Sequence, residues 1–244
     1  MNQFSRTSLI LGDEAMKKLA RSRVAVFGLG GVGGYVVEGL ARAGVGALDL
    51  VDNDTISITN LNRQIFALHS TVGQSKTTLS AARVSEINPE CKVTTHDLFY
   101  LPETADSIDL SQFDYIVDAV DTVSAKLYLA QKAQEACVPI ISSMGTGNKL
   151  DPTAFQVSDI SETNHDALAR VMRKELKKRG VKELKVVWSP EMGIRADAET
   201  LEEVKKKELS PDSSRRDVPG SVSFVPAVAG MILAGEVVKE LINF

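Results

Sequence analysis

Four polar residues are of the types that phosphoryl chemistry needs. Arg63 and Lys76 are cations, Asp121 is a carboxylate, and Arg6 is a further cation near the start of the chain. When a nucleotidyl group is transferred, charge builds on phosphoryl oxygens. Fixed cations, with Mg²⁺ held on a carboxylate, lower that barrier. A hydride-transferring dehydrogenase would instead need an acid–base pair for a hydroxyl–carbonyl couple, which this set does not offer. Each residue alone has a plainer reading. Arg63 and Lys76 would be solvated surface charges, Asp121 a helix N-cap before Thr122-Val123-Ser124, and Arg6 an exposed terminal arginine. Their joint placement at one edge of a sheet is what gives them weight.

That edge is set by Gly28-x-Gly30-x-x-Gly33, which follows the apolar run Val24-Ala25-Val26-Phe27 and opens a helix. In such a loop the first glycine makes the tight turn, the second lets backbone approach phosphates, and the third lets helix pack on strand. The helix N-terminus then points unpaired N–H groups and a positive dipole end at an anion. Asp52 closes the second strand, Ala47–Val51, about 20 residues beyond the last glycine, where a carboxylate reaches a ribose hydroxyl. Residues 52–74 form a long polar connection leaving the carboxyl end of a parallel strand, the place where open α/β sheets bind ligands.

The rest of the chain alternates strand and helix. A helix is expected over 8–21, a glycine-loop helix ending at Gly44, and a helix from Ser75 to before Pro89. Strands follow at 92–96, 115–120 and 139–143, with a helix at 123–136 between the last two. The pattern is that of an α/β, doubly wound, mostly parallel sheet. Residues 1–150 form the Rossmann-like nucleotide-binding portion and 151–244 a C-terminal portion of the same domain. The latter holds strands at 155–160 and 184–188 around a helix at 165–179. Residues 189–217 lack apolar periodicity and are expected to be a mobile crossover. A closing helix spans 227–241 and reads as a docking or subunit-interface helix.

The chain resembles the E1-like adenylating enzymes, the group that includes the molybdopterin- and thiazole-synthesis activators. The resemblance is carried by Phe4-Ser5-Arg6, Gly28-x-Gly30-Gly31-x-Gly33, Asp52-x-Asp54, Asn60-x-x-Arg63-Gln64, Val72-Gly73-Gln74-Ser75-Lys76 and Asp118-Ala119-Val120-Asp121. It implies an E1-like C-terminal half and an ATP site made by Gly28, Gly30, Gly31, Gly33, Asp52, Asp54, Asn60, Asn62, Arg63, Gln64, Lys76, Asp121 and Thr122. Within it Asp52 holds the ribose, Asn60, Arg63 and Lys76 hold phosphates, and Asp121 binds Mg²⁺. A monovalent cation, Na⁺ or K⁺, is a further candidate. Arg6 would come from the second protomer of a homodimer.

A narrower resemblance rests on Ser142-Ser143-Met144-Gly145-x-Gly147-Asn148-Lys149-Leu150-Asp151-Pro152, on residues 168–176 and on Gly220-Ser221-Val222-Ser223-Phe224-Val225-Pro226. These resemble the branch that dehydrates a threonylcarbamoyl-modified adenosine (t6A) in the anticodon loop of tRNA. There ATP activates a carboxylate, which is a poor leaving group until it is joined to phosphate. The activated acyl group closes into a ring with loss of AMP. A sulfur-transfer protein of the cysteine desulfurase type is a candidate partner. The same resemblance has residues 189–217 crossing the nucleotide site.

Cysteine usage separates this reading from the sulfur-carrier activators of the group, which often hold zinc on two Cys-x-x-Cys pairs. Only Cys91 and Cys137 occur, with no such pair, and both positions are expected to be buried and structural. The same usage suits a reducing cytoplasm. With 28 basic and 32 acidic residues, a net charge of −4 excludes a globally basic nucleic-acid binder. One segment runs against that balance. Arg170, Arg173, Lys174, Lys177 and Lys178 share a helical face opposite Leu168, Val171 and Leu176, a candidate tRNA phosphate contact or a solvated face. The longest apolar stretch, 224–235, has 12 residues, short of the roughly 20 that span a bilayer. Three other readings remain at this point: activation of a ubiquitin-like carrier, a non-catalytic nucleotide-sensing scaffold, and, from the glycines alone, a nicotinamide dehydrogenase.

Overall fold

A computed structural model describes residues 2–208 and 218–244 of the chain. Two short helices open it, α1 (Ser5–Leu11) and α2 (Asp13–Arg21), where the periodicity predicts one helix. Gly12 divides them by taking φ +82°, a left-handed conformation that interrupts the helical hydrogen bonds. Strand β1 (Arg23–Phe27), helix α3 (Gly33–Ala43) and strand β2 (Ala47–Val51) form the first βαβ unit, and Gly44 ends α3 with φ +90°. Helix α4 (Lys76–Ile87) starts after Ser75, whose hydroxyl accepts the Thr78 N–H, and leads into β3 (Lys92–His96). Then come β4 (Tyr115–Asp118), α5 (Val123–Glu135) and β5 (Ile140–Ser143).

Beyond residue 150 the chain continues the same sheet. Strand β6 (Gln156–Asp159), helix α6 (Ala167–Lys178) and strand β7 (Lys185–Trp188) complete seven strands in the order β3-β2-β1-β4-β5-β7-β6. Every pairing is parallel except β6 with β7. Strand β1 therefore has β2 on one side and β4 on the other. Where the order reverses, a crevice opens beyond the carboxyl ends of β1 and β4.

Alternate residues of β1 serve opposite layers, as a strand buried on both faces requires. Val24 and Val26 pack with Val36, Val37 and Leu40 of α3, while Ala25 and Phe27 pack with Leu129 and Ala133 of α5. A further cluster joins α5 and α6 through Leu127, Ala130, Met172, Leu176 and Trp188.

Two expectations for the C-terminal portion change. Within 189–217 a helix forms, α7 (Ala198–Glu208), whose start is fixed by Asp197 accepting the Thr200 N–H at 2.9 Å. Leu201 and Val204 are too few to give it a readable periodicity. The remainder of that expected crossover, 209–217 with Arg215 and Arg216, lies outside the described residues. The closing helix α8 (Phe224–Ile242) starts earlier than expected and is a core element of its own chain, burying Ala229, Leu233, Ala234 and Val237 in the α3 cluster. Among the described residues no helix is long and apolar enough to cross a membrane.

Candidate active site

Three residues of the first turn after β1 decide the shape of the site. Gly28 has φ +86°, and a Cβ there would stand 2.7 Å from the Ala119 carbonyl oxygen. A Cβ on Gly33 would stand 1.7 Å from the Gly28 carbonyl oxygen, so the loop folds back on itself only with glycine at that position. Leu29, between them, donates its N–H to Asp52 Oδ2 at 2.6 Å, while the Asp54 N–H donates to Asp52 Oδ1 at 2.8 Å. The carboxylate is thus held against the loop by two backbone donors.

Lys76 opens α4 and is only 5 % exposed, which rules out the reading as a solvated surface charge. Its ammonium donates to Asp54 Oδ2 at 2.8 Å and stands 3.7 Å from Asp52 Oδ1. In so little water its field acts at much greater strength than on the surface. Arg63 is placed by the long connection. Its Nη1 donates to the Thr59 carbonyl and to Asn62 Oδ1, both at 2.8 Å, and its stem crosses Gly31, where a Cβ would meet Arg63 Cγ at 3.2 Å. Asn60 Oδ1 accepts the Ser57 N–H and closes the 3₁₀ turn Ile58–Asn60 that starts this stretch. Gln64 is 8 % exposed, and its Oε1 has no hydrogen-bond partner among the described residues. A buried acceptor left open on a cavity wall is costly unless a ligand supplies the donor.

Asp121 stands on the loop between β4 and α5. Thr122 occupies the N-cap position of α5 and donates its hydroxyl to Asp121 Oδ1 at 3.3 Å, so Asp121 is not the cap. A pair that sequence reasoning gave no role braces this loop from below. Asp118 and Lys126 are fully buried, with Lys126 Nζ 2.9 Å from Asp118 Oδ2. Asp118 also accepts the Ser142 hydroxyl at 2.5 Å and the Val120 N–H at 3.2 Å, and Lys126 donates to the Val120 carbonyl at 3.3 Å. The available signal was a lysine at the spacing of Leu129, Ala130 and Ala133, the inward stripe of α5.

These groups share one cavity of about 1050 Å³. Gly28, Gly30, Gly31, Asp52, Asp54, Asn60, Arg63, Gln64, Lys76 and Asp121 all line it. Gly33 stands behind the loop, Thr122 stands at the N-cap position of α5 with its hydroxyl turned to Asp121, and Asn62 ties Arg63 to Ser221 by donating Nδ2 to its carbonyl at 2.9 Å. Arg6 is exposed on α1 and is not among the lining residues. The cavity extends further than the sequence suggested, past residues 143–149 after β5 to Asp166, Glu191 and Gly220. Asn148 exchanges two hydrogen bonds with Gly220, at 2.7 and 2.8 Å, so residues 219–221 strap the mouth between Asn62 and Asn148. A separate hollow of about 570 Å³ beside Lys185 holds none of the expected site residues.

For Mg²⁺ the donor set is small. Among the described residues no cluster of three or more His, Cys, Asp or Glu side chains could hold a metal. Mg²⁺ carried on a nucleotide needs only one or two carboxylates beside the phosphate oxygens, and Asp121 on the cavity wall fits that role.

Two further expectations are revised. On α6 the buried residues are Ala169, Met172 and Leu176, whereas Val171 is 43 % exposed. Arg173 turns inward, donating to the Thr163 carbonyl at 2.7 Å and to the Thr163 hydroxyl, so it braces α6 and does not belong to an open basic face. Arg170, Lys174, Lys177 and Lys178 remain exposed, Lys178 paired with Glu175 at 2.7 Å. Cys91 is buried, and burial raises its thiol to about 11. Cys137, expected to be buried, is exposed at φ +56°, because the chain reverses there to enter β5.

Fold and cavity define a nucleotide-binding α/β protein whose loop, cations and carboxylate suit a polyphosphate. The sequence model of the ThiF family matches residues 4–244, and the chain belongs to that family. It is 44 % identical, over its whole length and 96 % of the relative, to the tRNA threonylcarbamoyladenosine dehydratase of Bacillus subtilis. It is similar in structure to the E. coli tRNA N6-threonylcarbamoyladenosine dehydratase TcdA, crystallised with AMP and with ATP. Each comparison has a TM-score of 0.85 at 31 % identity and covers 99 % of this chain and 94 % of the other.

Proposed function

We propose that this protein uses ATP to adenylate the threonylcarbamoyl carboxylate of t6A in tRNA and then closes that side chain into cyclic t6A. The observation that carries the reading is one cavity holding the glycine loop, Lys76, Arg63 and Asp121 together. The B. subtilis relative and the ATP-bound E. coli structure support it.

In the first step a carboxylate oxygen attacks the α-phosphorus of ATP and pyrophosphate leaves. In the second, a nucleophilic atom of the same carbamoyl side chain attacks the acyl carbon, AMP leaves, and the proton of that nucleophile passes to solvent. The nucleoside has then lost one water. Lys76 and Arg63 offset the charge that develops on the phosphoryl oxygens, and the burial of Lys76 and the tethering of Arg63 mean little reorganisation is needed. Asp52, fixed by two backbone donors, takes the ribose. Asp121 would hold Mg²⁺, which neutralises phosphate charge when bound.

On the same reading the working form is a homodimer in the cytoplasm. Arg6 serves the partner's site, which accords with its exposure on α1 outside the lining of its own cavity and with Leu9 and Ile10 exposed beside it at 86 and 85 %. A sulfur-transfer protein of the cysteine desulfurase type remains the candidate partner.

The test is incubation with ATP, Mg²⁺ and t6A-bearing tRNA, then mass spectrometry of the nucleosides. Loss of one water is expected, together with AMP. Asp121→Ala should abolish product and make nucleotide affinity insensitive to Mg²⁺. Fully active Asp121→Ala protein, or no product from the wild type, would overturn the reading. Omission of Na⁺ and K⁺ from the same assay reads out the monovalent cation.

A further inference from the structure

The cavity contains a second buried lysine that the nucleotide does not need. Lys149 lies on the loop after β5 and is 8 % exposed, yet it lines the cavity. Its ammonium donates to the Ser189 carbonyl at 2.7 Å and stands 3.4 Å from Asp166 Oδ2. That second separation is longer than an ordinary charged hydrogen bond. The other oxygen of Asp166 is engaged in capping α6, accepting the Ala169 N–H at 2.9 Å. A lysine ammonium has three N–H donors, and the described residues take two of them, one loosely. Asp166, only 5 % exposed, accounts for a cation at this position, and that pairing leaves one N–H donor of Lys149 unspent on the cavity wall.

Strand order says where along the cavity this charge sits. Asp52 follows β2, the glycine loop follows β1, Asp121 follows β4, Lys149 follows β5 and Ser189 follows β7. At roughly 4.8 Å per strand, the β5 end lies about 10 Å from the β1 end, on the side away from the ribose carboxylate. A nucleotide with its ribose at Asp52 and its phosphates at the loop leaves the β5–β7 end for the group that attacks the α-phosphorus. That group is an anion, and it must approach another anion.

We propose that Lys149 is the binding cation for the carboxylate of the acyl substrate, and that it makes the enzyme select a modified nucleoside bearing that carboxylate. The assignment rests on the tRNA-dehydratase reading above. It has a kinetic signature. The carboxylate is charged on arrival and becomes a neutral acyl group once joined to AMP, so Lys149 contributes to capture of the substrate far more than to ring closure.

The experiment measures binding and turnover of three anticodon stem-loops, carrying t6A, its methyl ester or unmodified adenosine, by the full-length wild type and by Lys149→Gln and Lys149→Arg. In the wild type, esterification should weaken binding at least about tenfold. Lys149→Gln should bind all three stem-loops alike, with KM for the t6A stem-loop raised at least about tenfold, a much smaller fall in kcat and unchanged ATP affinity. Lys149→Arg, which keeps the charge, should restore part of the preference for the free acid. Lys149→Gln that still prefers the free acid as the wild type does would overturn the assignment while leaving the dehydratase reading intact. Should Lys149→Gln fail to fold, Lys149→Gln with Asp166→Asn, which removes both charges of the pair and keeps the α6 cap acceptor, takes its place, and an unchanged preference for the free acid overturns the assignment. A wild type that binds acid and ester equally overturns the assignment by itself, and a wild type without cyclic product overturns both.

Discussion

Replacing Lys126 by methionine removes one charge from a site with no water and keeps the length of the side chain. Lys126 and Asp118 are both 0 % exposed and their charged atoms stand 2.9 Å apart. Removing one member leaves Asp118 as an uncompensated buried anion, and such losses cost about 3–5 kcal/mol. In a domain of this size about 1 kcal/mol moves Tm by about 2–4 °C, so Lys126→Met should melt about 6–20 °C below the wild type. Asp118→Asn in the same chain removes the stranded charge. It keeps an acceptor for the Val120 N–H that Asp118 now holds at 3.2 Å. The double variant should therefore recover at least half of the loss, the non-additivity expected of groups in direct contact. Thermal melting and urea unfolding of the four proteins measure the cycle. ATP affinity should follow the same order, because the pair holds Val120, the neighbour of Asp121. A single variant melting within 2 °C of the wild type, or a double variant no better than Lys126→Met, would refute the reasoning.

Gly33→Ala forces a methyl group to within 1.7 Å of the Gly28 carbonyl oxygen, which is backbone and must move by more than an ångström. ATP Kd should rise at least about tenfold, read by calorimetry, and near-normal binding would count against the tight loop. Lys174→Glu with Lys177→Glu should weaken tRNA binding and lower its salt slope by about 2, with ATP affinity unchanged; an unaltered slope would remove α6 from the RNA contact. Burial pushes the Glu38 carboxyl up, but hydrogen bonds from Arg83 and Arg42 outweigh it and hold the group below its ordinary value of 4.5. A carboxyl lowered on folding stabilises the native state above that ordinary value, and the contribution is lost as pH falls through the folded value. Glu38→Gln should thus cost about 1 kcal/mol at pH 7, or about 2–4 °C in Tm, and the gap to the wild type should close in acid.

Much of the fold was legible in the sequence because its signals are local. The run Val24–Phe27, the glycine spacing and Gly44 define β1, the loop and the end of α3 through rules that act within a few residues. Where local signals were weak, the reading was weaker. Gly12 splits a helix through one backbone angle that apolar periodicity does not register. Helix α7 has two apolar positions and a cap, too little to stand out. Cys137 looked like a core residue by type, but its place in a chain reversal puts it outside.

For the site, the sequence by itself determined which chemical groups were available: a glycine loop after a strand, two cations, and the carboxylates of Asp52 and Asp121. It also excluded the usual cysteine-rich zinc sites, since neither cysteine belongs to a Cys-x-x-Cys pair. Only the tertiary structure decided which of these charges share a cavity and which do other work. It buried Lys76 beside Asp54, turned Arg173 inward onto Thr163, and left Arg6 on the surface. It also brought Lys149, Asp166 and Ser189 together from three separate segments. The reason is physical. A charge acquires its strength from the dielectric around it and from partners distant in the chain, and strand order, not sequence spacing, sets both.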